Sequence, residues 1–358
     1  MEKLVNKEFL EHSFRGKKVF VTGHTGFKGS WLCAWLHELK AEVKGYALAP
    51  EQELCLFNIM KPLNLNESII ADIRNKQLLI SEIQNFQPDF IFHLAAQPLV
   101  RRSYKIPAET FEINVAGTAN LLEAVTTLSN KCTVVIVTTD KVYENKESEI
   151  LYNENDILGG YDPYSASKAC TELVTNSFRS SFFNPNNYNT HLKSISSARA
   201  GNVIGGGDYS EDRIIPDIVK ALYSEKNIII RNPASVRPWQ HVLEPLGGYL
   251  LLAARCNDEE NLSGAYNFGP GPEGHLTVQQ IADIAIQQWG SGKWEHFEMK
   301  SVHEAQLLKL DVSKAKNILH WVPKLNAPDT IKWTLEWYKN KKQQVEITFD
   351  QIKKYMAL

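Results

Sequence analysis

Tyr164 and Lys168 stand four residues apart in the run Tyr161-Asp-Pro-Tyr-Ser-Ala-Ser-Lys168, so a helix there carries both on one face. A lysine charge one turn from a phenol lowers the phenol's pKa. The phenolate can then take a proton from a substrate hydroxyl while a nicotinamide takes the hydride from the same carbon. Lys168 could also hold the nicotinamide ribose. The same pair on a solvent-facing helix would mean nothing, so its surroundings decide. Upstream, Thr138-Thr139-Asp140-Lys141 places hydroxyls, a carboxyl and an amine at the end of an apolar run, Cys132 to Thr138. Near the start, Gly23, Gly26 and Gly29 follow Lys18-Val-Phe-Val-Thr22 at a spacing of three. A strand, a glycine turn and a helix N-terminus make an anion site, because free backbone N–H groups and the helix dipole both face the ligand. Gly23 allows the turn, Gly26 lets backbone approach a pyrophosphate, and Gly29 lets the helix pack close to the sheet.

Positioning these groups requires a particular set of elements. Apolar and β-branched runs at Val19–Val21, Glu42–Leu48, Ser68–Ala71, Asp89–Leu94, Cys132–Thr138 and Ser194–Ala200 read as strands. Helical patterns lie between them, which predicts a right-handed, doubly wound parallel sheet. Ligands of such sheets bind at the carboxyl ends of the strands. Those ends carry the glycine loop, Leu94-Ala95-Ala96-Gln97 and Thr139 to Lys141. Asp72, after the third strand, can accept from an adenine amino group or N-cap the helix predicted over Asn75–Phe86. Asn114, inside the helical stretch Pro107–Leu128, can fix a backbone turn or lie on a plain helix surface. The second strand ends without an acid to hold an adenosine ribose. Glu51 is the first carboxylate after it, no arginine favours a 2′-phosphate, and Lys44 is nearby. NAD is expected, with its preference over NADP left open.

After Ala200 the alternation becomes irregular. Gly201-Asn-Val-Ile-Gly-Gly-Gly-Asp208 is dense in glycine, which implies a tight turn or a close approach to a ligand. Arg213, Arg231 and Arg237 follow, and an arginine fork matches phosphate oxygens. Around a glycine-rich loop the set suggests a diphosphate ligand. We expect a Rossmann domain over 1–200 that also receives about 234–262. A smaller, mixed substrate lobe over 201–358 is drawn mainly from 201–233 and 263–358.

Composition limits the partners. The 358 residues carry a formal net charge of −2, so nothing recommends nucleic acid or an acidic membrane. The five cysteines are scattered, odd in number and never paired as CxxC, which argues against a disulfide framework or a metal site. The first fifteen residues lack an apolar core and no run reaches membrane-spanning length. A cytoplasmic location is expected.

The glycine spacing, Asp72-Ile-Arg74, His93-Leu-Ala-Ala96, Asn114-Val-Ala-Gly-Thr118 and Tyr164 to Lys168 resemble an extended short-chain dehydrogenase/reductase acting on nucleotide sugars. Longer stretches resemble the branch that dehydrates CDP-D-glucose. These are Gly23–Trp31, Phe92–Arg101, Gly159–Lys168, Arg199–Asp208 and Arg237-Pro-Trp-Gln-His-Val-Leu-Glu-Pro245. Thr139-Asp140-Lys141 separates this branch from the 4-epimerases, which carry no acid there. Two departures exist: Ser148-Glu149-Ile150-Leu151 replaces a Trp-containing stretch, and Val142 stands where Cys is frequent.

The resemblance implies a 4,6-dehydratase whose NAD is regenerated each turnover. Tyr164 would remove the C4 hydroxyl proton and Thr139 would hold that oxygen. Asp140 would protonate the departing C6 hydroxyl. Lys141 would take the C5 proton if neutral, or stay charged and stabilise the enolate. Gly23, Thr25, Gly26, Phe27, Gly29, Asp72, Ile73, Leu94, Ala95 and Ala96 would line the cofactor, with Tyr164 and Lys168. Asn202 and Arg237 would meet the diphosphate. Gly207, Arg213 and Arg231 would meet the nucleotide, and Gln97 the sugar. The cytosine is implied by resemblance alone. The rivals are a nucleotide-sugar 4-epimerase, a dehydratase for another nucleotide-glucose, and a non-catalytic NAD-binding regulator. The family's habit of pairing through two helices implies a homodimer or homotetramer, here through Pro107–Leu128 and Pro163–Phe183.

Overall fold

The computed structural model describes residues 4–64, 67–146, 149–210, 213–271, 274–297 and 308–358; Ser148 of the departing stretch lies outside them. Seven parallel strands form one sheet: β1 Lys18–Thr22, β2 Glu42–Ala47, β3 Glu67–Ile70, β4 Phe90–His93, β5 Cys132–Val137, β6 Lys193–Ala200 and β7 Ala265–Phe268. Their spatial order is β7-β6-β5-β4-β1-β2-β3. The chain reverses its winding between β1 and β4, where Val19 pairs Val43 on one side and Phe90 on the other. A ligand crevice is expected at that reversal, outside the strand ends.

Alternate strand residues feed two cores, as a sheet covered on both faces requires. Val19, Val21, Phe92, Val135 and Val137 join the core beneath the helices Lys7–Phe14, Phe27–Glu38 and Leu243–Asp258. Phe20, Ile91, Val134 and Ile136 join the core beneath Lys76–Phe86 and Gly117–Thr126. The Leu243–Asp258 helix is buried along its whole length from Leu243 to Cys256. A helix apolar on every face must be wrapped by other elements. Here Gly248 permits that wrapping, since a Cβ on it would lie 2.4 Å from the Phe268 ring.

The stretch Pro107–Leu128 is not one continuous α-helix. It runs Pro107–Phe111, then a wider-wound turn Glu112–Ala116 containing Asn114, then Gly117–Thr126. Such a bulge displaces one residue from the helical register and frequently marks a functional site. Outside this sheet lie short two-stranded pairs, including Val236–Pro238 with His275–Thr277 and Ile228–Ile230 with Trp294–His296. The helices Ile214–Tyr223 and Val278–Trp289 pack on these pairs, Ala327–Lys339 packs on Val278–Trp289, and Gln344–Ala357 packs on Ala327–Lys339 and on the Phe27–Glu38 helix. Among the described residues no helix is long and apolar enough to cross a membrane.

Candidate active site

The glycine loop leaves β1 in a left-handed turn. Gly23 has φ +75°, and a Cβ there would meet Ala95 N at 2.7 Å, so the loop lies directly on the end of β4. Gly29 sits against the loop itself, where a Cβ would fall 2.1 Å from Gly23 O. Gly26 caps the Phe27–Glu38 helix with no side-chain hydrogen bond and is exposed, so the first N–H groups of that helix face an open cradle. Such a cradle fits a dinucleotide's diphosphate. Thr25 ties the loop to β2 by donating to Leu48 O at 2.8 Å. His24 turns inward beneath Gly45 and reaches Ser68 Oγ at 2.6 Å, and burial pushes its pKa down to about 4, so it is neutral.

A chain of hydrogen bonds connects this loop to the Tyr–Lys helix. Ala95 N donates to Thr22 Oγ1, which donates to His93 Nδ1 at 2.7 Å. His93 Nε2 meets Thr118 Oγ1, which donates to Asn114 O. Burial, aided by the Lys168 charge, holds the His93 pKa down at about 3, so the ring relays as a neutral group. Asn114 is buried and holds both ends of the cleft: its Oδ1 accepts from Gln97 N at 2.8 Å and its Nδ2 donates to Ser167 Oγ at 2.8 Å. Asn114 thus fixes a turn and is no surface residue.

The Pro163–Ser181 helix begins with Asp162, whose carboxylate accepts from Ser165 N. Tyr164 and Lys168 occupy its first two turns and are buried. Thr139 and Asp140 face them from the end of β5, also buried, and Thr139 Oγ1 donates to Asp140 Oδ1 at 2.9 Å. Lys141 Nζ lies 4.0 Å from Asp140 Oδ1. The Asp140 carboxylate packs beside Gly201 and Pro238, since a Cβ on Gly201 would meet Asp140 Oδ2 and Pro238 Cγ at 3.0 Å each. The acid therefore sits against the turn after β6 and the Val236–Pro238 strand.

Electrostatics differ from the sequence expectation in one respect. The Tyr164 pKa is pushed up to about 12 by burial, against a hydrogen bond to Thr139. Lys168 does not counter this: its Nζ donates to Val137 O at 2.9 Å, and burial lowers its own pKa to about 8. The positive charge that does favour the phenolate is that of Arg213. Protein alone thus keeps Tyr164 a phenol, and further positive charge is needed to ionise it.

Several other expected contacts also move. Asp72 is not the helix cap; Asn75 is, accepting from Leu78 N, while Asp72 holds the Arg74 guanidinium at 2.7 Å. Ile73 packs into the core against Gly117. Lys44 points away from any ribose, held by Glu82 at 2.6 Å and Glu67 at 3.0 Å. Glu51 pairs with Arg102. Gln97 is buried, with Oε1 accepting from Leu99 N and Nε2 donating to Thr110 Oγ1, so its side chain shapes its own loop. Gly207 is buried with φ +83° against Leu56, so its glycine serves packing. Leu94, Ala95, Ala96, Phe27 and Asn202 are half-buried along the cleft. Arg213 caps the Ile214–Tyr223 helix and lies 3.7 Å from Asp208 Oδ2. Arg231 and Arg237 are half-buried, Arg237 within the Val236–Pro238 strand.

Sequence reasoning missed three residues of the site. Ser103 Oγ accepts from Tyr164 N at 3.1 Å. Glu172, one turn beyond Lys168, accepts from Thr138, Ser197 and Arg199. Its place four residues after Lys168 was a usable signal. The third is Lys28, inside the glycine loop's helix.

The family model described as GDP-mannose 4,6 dehydratase matches residues 20–334. The CDP-glucose 4,6-dehydratase of Salmonella typhimurium is 49% identical over 338 residues, covering 94% of this chain and 93% of that one. Among solved structures, an epimerase from Methanothermobacter thermautotrophicus superposes with a TM-score of 0.78 at 23% identity, covering 96% and 97% of the two chains. A dTDP-glucose 4,6-dehydratase from Streptomyces venezuelae, with NAD and TYD bound, gives 0.75 at 24% identity, covering 91% and 98%.

Proposed function

The chain belongs to the GDP-mannose 4,6 dehydratase family, and from that membership we propose that it is a CDP-D-glucose 4,6-dehydratase. It is an NAD-dependent hydro-lyase converting CDP-D-glucose to CDP-4-dehydro-6-deoxy-D-glucose and water. The 49% identity to the Salmonella enzyme supports the substrate. The observation that carries the reaction is the Asp140–Lys141 pair at the end of β5, 4.0 Å apart and beside Thr139. A 4-epimerase has no use for an acid there.

Bound NAD supplies the oxidant that takes the C4 hydride and returns it at C6. Gly23, Thr25, Gly26, Phe27, Gly29, Leu94, Ala95 and Ala96 hold it, and Lys168 takes its ribose. Asp72 meets the adenine edge with whatever acceptor capacity Arg74 leaves. The protein residues do the proton work. Tyr164 removes the C4 hydroxyl proton and Thr139 holds that oxygen. The resulting ketone acidifies C5. Lys141 takes the C5 proton or, as a cation, stabilises the enolate, while Asp140 protonates the C6 hydroxyl, which leaves as water. When the hydride returns to C6, C5 takes a proton back, and the proton that Tyr164 gained at C4 replaces the one Asp140 gave to the departing water, so the cycle closes. Asn202 and Arg237 hold the diphosphate, with Arg213 and Arg231 toward the nucleotide.

We also infer a cytoplasmic enzyme, which the five unpaired cysteines support. A homodimer or homotetramer is supported by apolar side chains exposed on or beside the Pro163–Ser181 helix, Leu173 and Phe182. A keto-deoxy product suits the synthesis of 3,6-dideoxyhexoses for surface polysaccharide. The test is incubation with catalytic NAD and, separately, CDP-glucose, dTDP-glucose, UDP-glucose and GDP-mannose. The expected result is a product lighter by one water from CDP-glucose alone. A CDP-galactose signal by NMR, with no change in mass, would instead make it an epimerase.

A further inference from the structure

Lys28 has no part in the reaction just described, yet it stands in the middle of the site. It belongs to the first turn of the Phe27–Glu38 helix, where a cation meets the positive end of the helix dipole. Its Nζ lies 3.4 Å from the Tyr249 hydroxyl and 5.8 Å from the centre of that ring. Among the described residues no carboxylate comes within 4.0 Å of it. The charged groups that act on it are Arg213 and Lys168, which repel it, and Asp140, which attracts it. Asp140 already has Lys141 at 4.0 Å. Burial, with Arg213 and Lys168, pushes the Lys28 pKa down to about 7. The cleft therefore concentrates cations around a lysine with only a neutral phenol as partner. Asp140 and Asp208 lie nearest Lys141 and Arg213, so among the described residues Lys28 has no carboxylate of its own.

We propose that Lys28 is a diphosphate-binding residue of this cleft, which becomes protonated as the ligand arrives and then donates to a phosphate oxygen. The inference rests on the function proposed above, because that reading brings two diphosphates here: one in NAD and one in the CDP-sugar. Both offer the same chemistry. An incoming phosphate supplies the negative charge that the ammonium lacks, and its field opposes the desolvation that favours the free amine. The proton comes from solvent.

The experiment is calorimetric titration of the whole protein with NAD and, separately, with CDP. Each is done at about pH 8 in two buffers of different ionisation enthalpy, because the difference in heat counts protons taken up. The wild-type protein should take up a large fraction of a proton with one of the two ligands, which identifies the source. Lys28→Met should abolish the uptake and weaken that ligand roughly ten- to hundredfold, the worth of a charge-assisted hydrogen bond. Lys28→Arg should keep the affinity within a few-fold and abolish the uptake, since arginine is charged throughout. Unchanged affinity and uptake in Lys28→Met overturn the proposal. If Lys28→Met does not fold, persistent uptake in Lys28→Arg overturns it equally. Turnover of CDP-glucose is scored separately in the wild type. A protein that fails that assay but shows the Lys28-dependent uptake with NAD refutes the assigned substrate and leaves the lysine's role standing.

Discussion

At the scale of single residues, the site divides its labour between Tyr164 and the Asp140–Lys141 pair, and substitutions should separate the two. Tyr164→Phe removes the phenol that hydrogen-bonds Thr139 and should lower turnover by roughly a hundred- to ten-thousandfold, with NAD still bound. Asp140→Asn and Lys141→Met should leave C4 oxidation intact and stop water loss. Single-turnover absorbance of reduced nicotinamide should then build up without a lighter product. If both variants still dehydrate, the elimination is run by other groups. Gly201→Ala offers a gentler probe. Its Cβ would crowd Asp140 Oδ2 and Pro238 Cγ at 3.0 Å, so dehydration should slow more than oxidation. The pH profile follows from Tyr164. Its pKa is pushed up to about 12, so the active phenolate is a minority form and turnover should rise with pH from about 6 to 8. A flat profile there would mean that some other step or base sets the rate.

At the scale of elements, the Leu243–Asp258 helix carries a buried acid that fastens the tail. Glu244 Oε1 accepts from Lys324 N at 2.9 Å and Leu325 N at 2.7 Å, while Oε2 accepts from Tyr355 OH at 2.7 Å. Burial raises its pKa to about 7, so the folded protein holds a proton that the unfolded chain releases near the ordinary carboxyl value. Its contribution is present at acid pH and lost as pH rises from about 5 through 7. Glu244→Gln should remove that decline, which comparison of the two melting curves against pH will show. Glu244→Ala strands two backbone donors and should cost about 3 kcal/mol by denaturant unfolding.

The same elements show what could be read from sequence. The first six strands were legible to within a residue or two because a parallel sheet needs continuous apolar runs, as at Cys132–Val137, whereas the seventh, the short edge strand Ala265–Phe268, was not read. The glycine loop was legible because its geometry is local. Asp72 and Asn75 were not separable as caps, since both are good acceptors and only the fold places Arg74 on the first. The Gly205–Gly207 turn looked like a ligand approach. It is packed instead by Trp337 and Leu56, partners far away in the chain. Lys28 was missed because a lysine on an early helix ordinarily faces water, and only Tyr249, on the Leu243–Asp258 helix, reveals that it turns inward.

At the scale of the whole molecule, association and chain order both follow from which surfaces are finished. Leu173 and Phe182 are 58% and 56% exposed, side by side with the catalytic helix's buried face. Under the pairing proposed above, replacing both by Glu should give a monomer in light scattering, with unchanged far-ultraviolet circular dichroism. An unchanged mass would move the pairing surface elsewhere. The sheet itself closes late. Its edge strand, Ala265–Phe268, and the wholly buried Leu243–Asp258 helix both come after the segment that bears Arg213. Trp31 Nε1, beside the glycine loop, donates to Gly206 O at 2.8 Å. On the ribosome, then, the nucleotide pocket is begun first and sealed last. A nascent chain that has already released Ala200 still exposes the face of β5 and β6 that the Leu243–Asp258 helix will cover. A frameshift or early stop between 200 and 260 would leave no half-enzyme able to sequester cofactor, only a substrate for proteolysis.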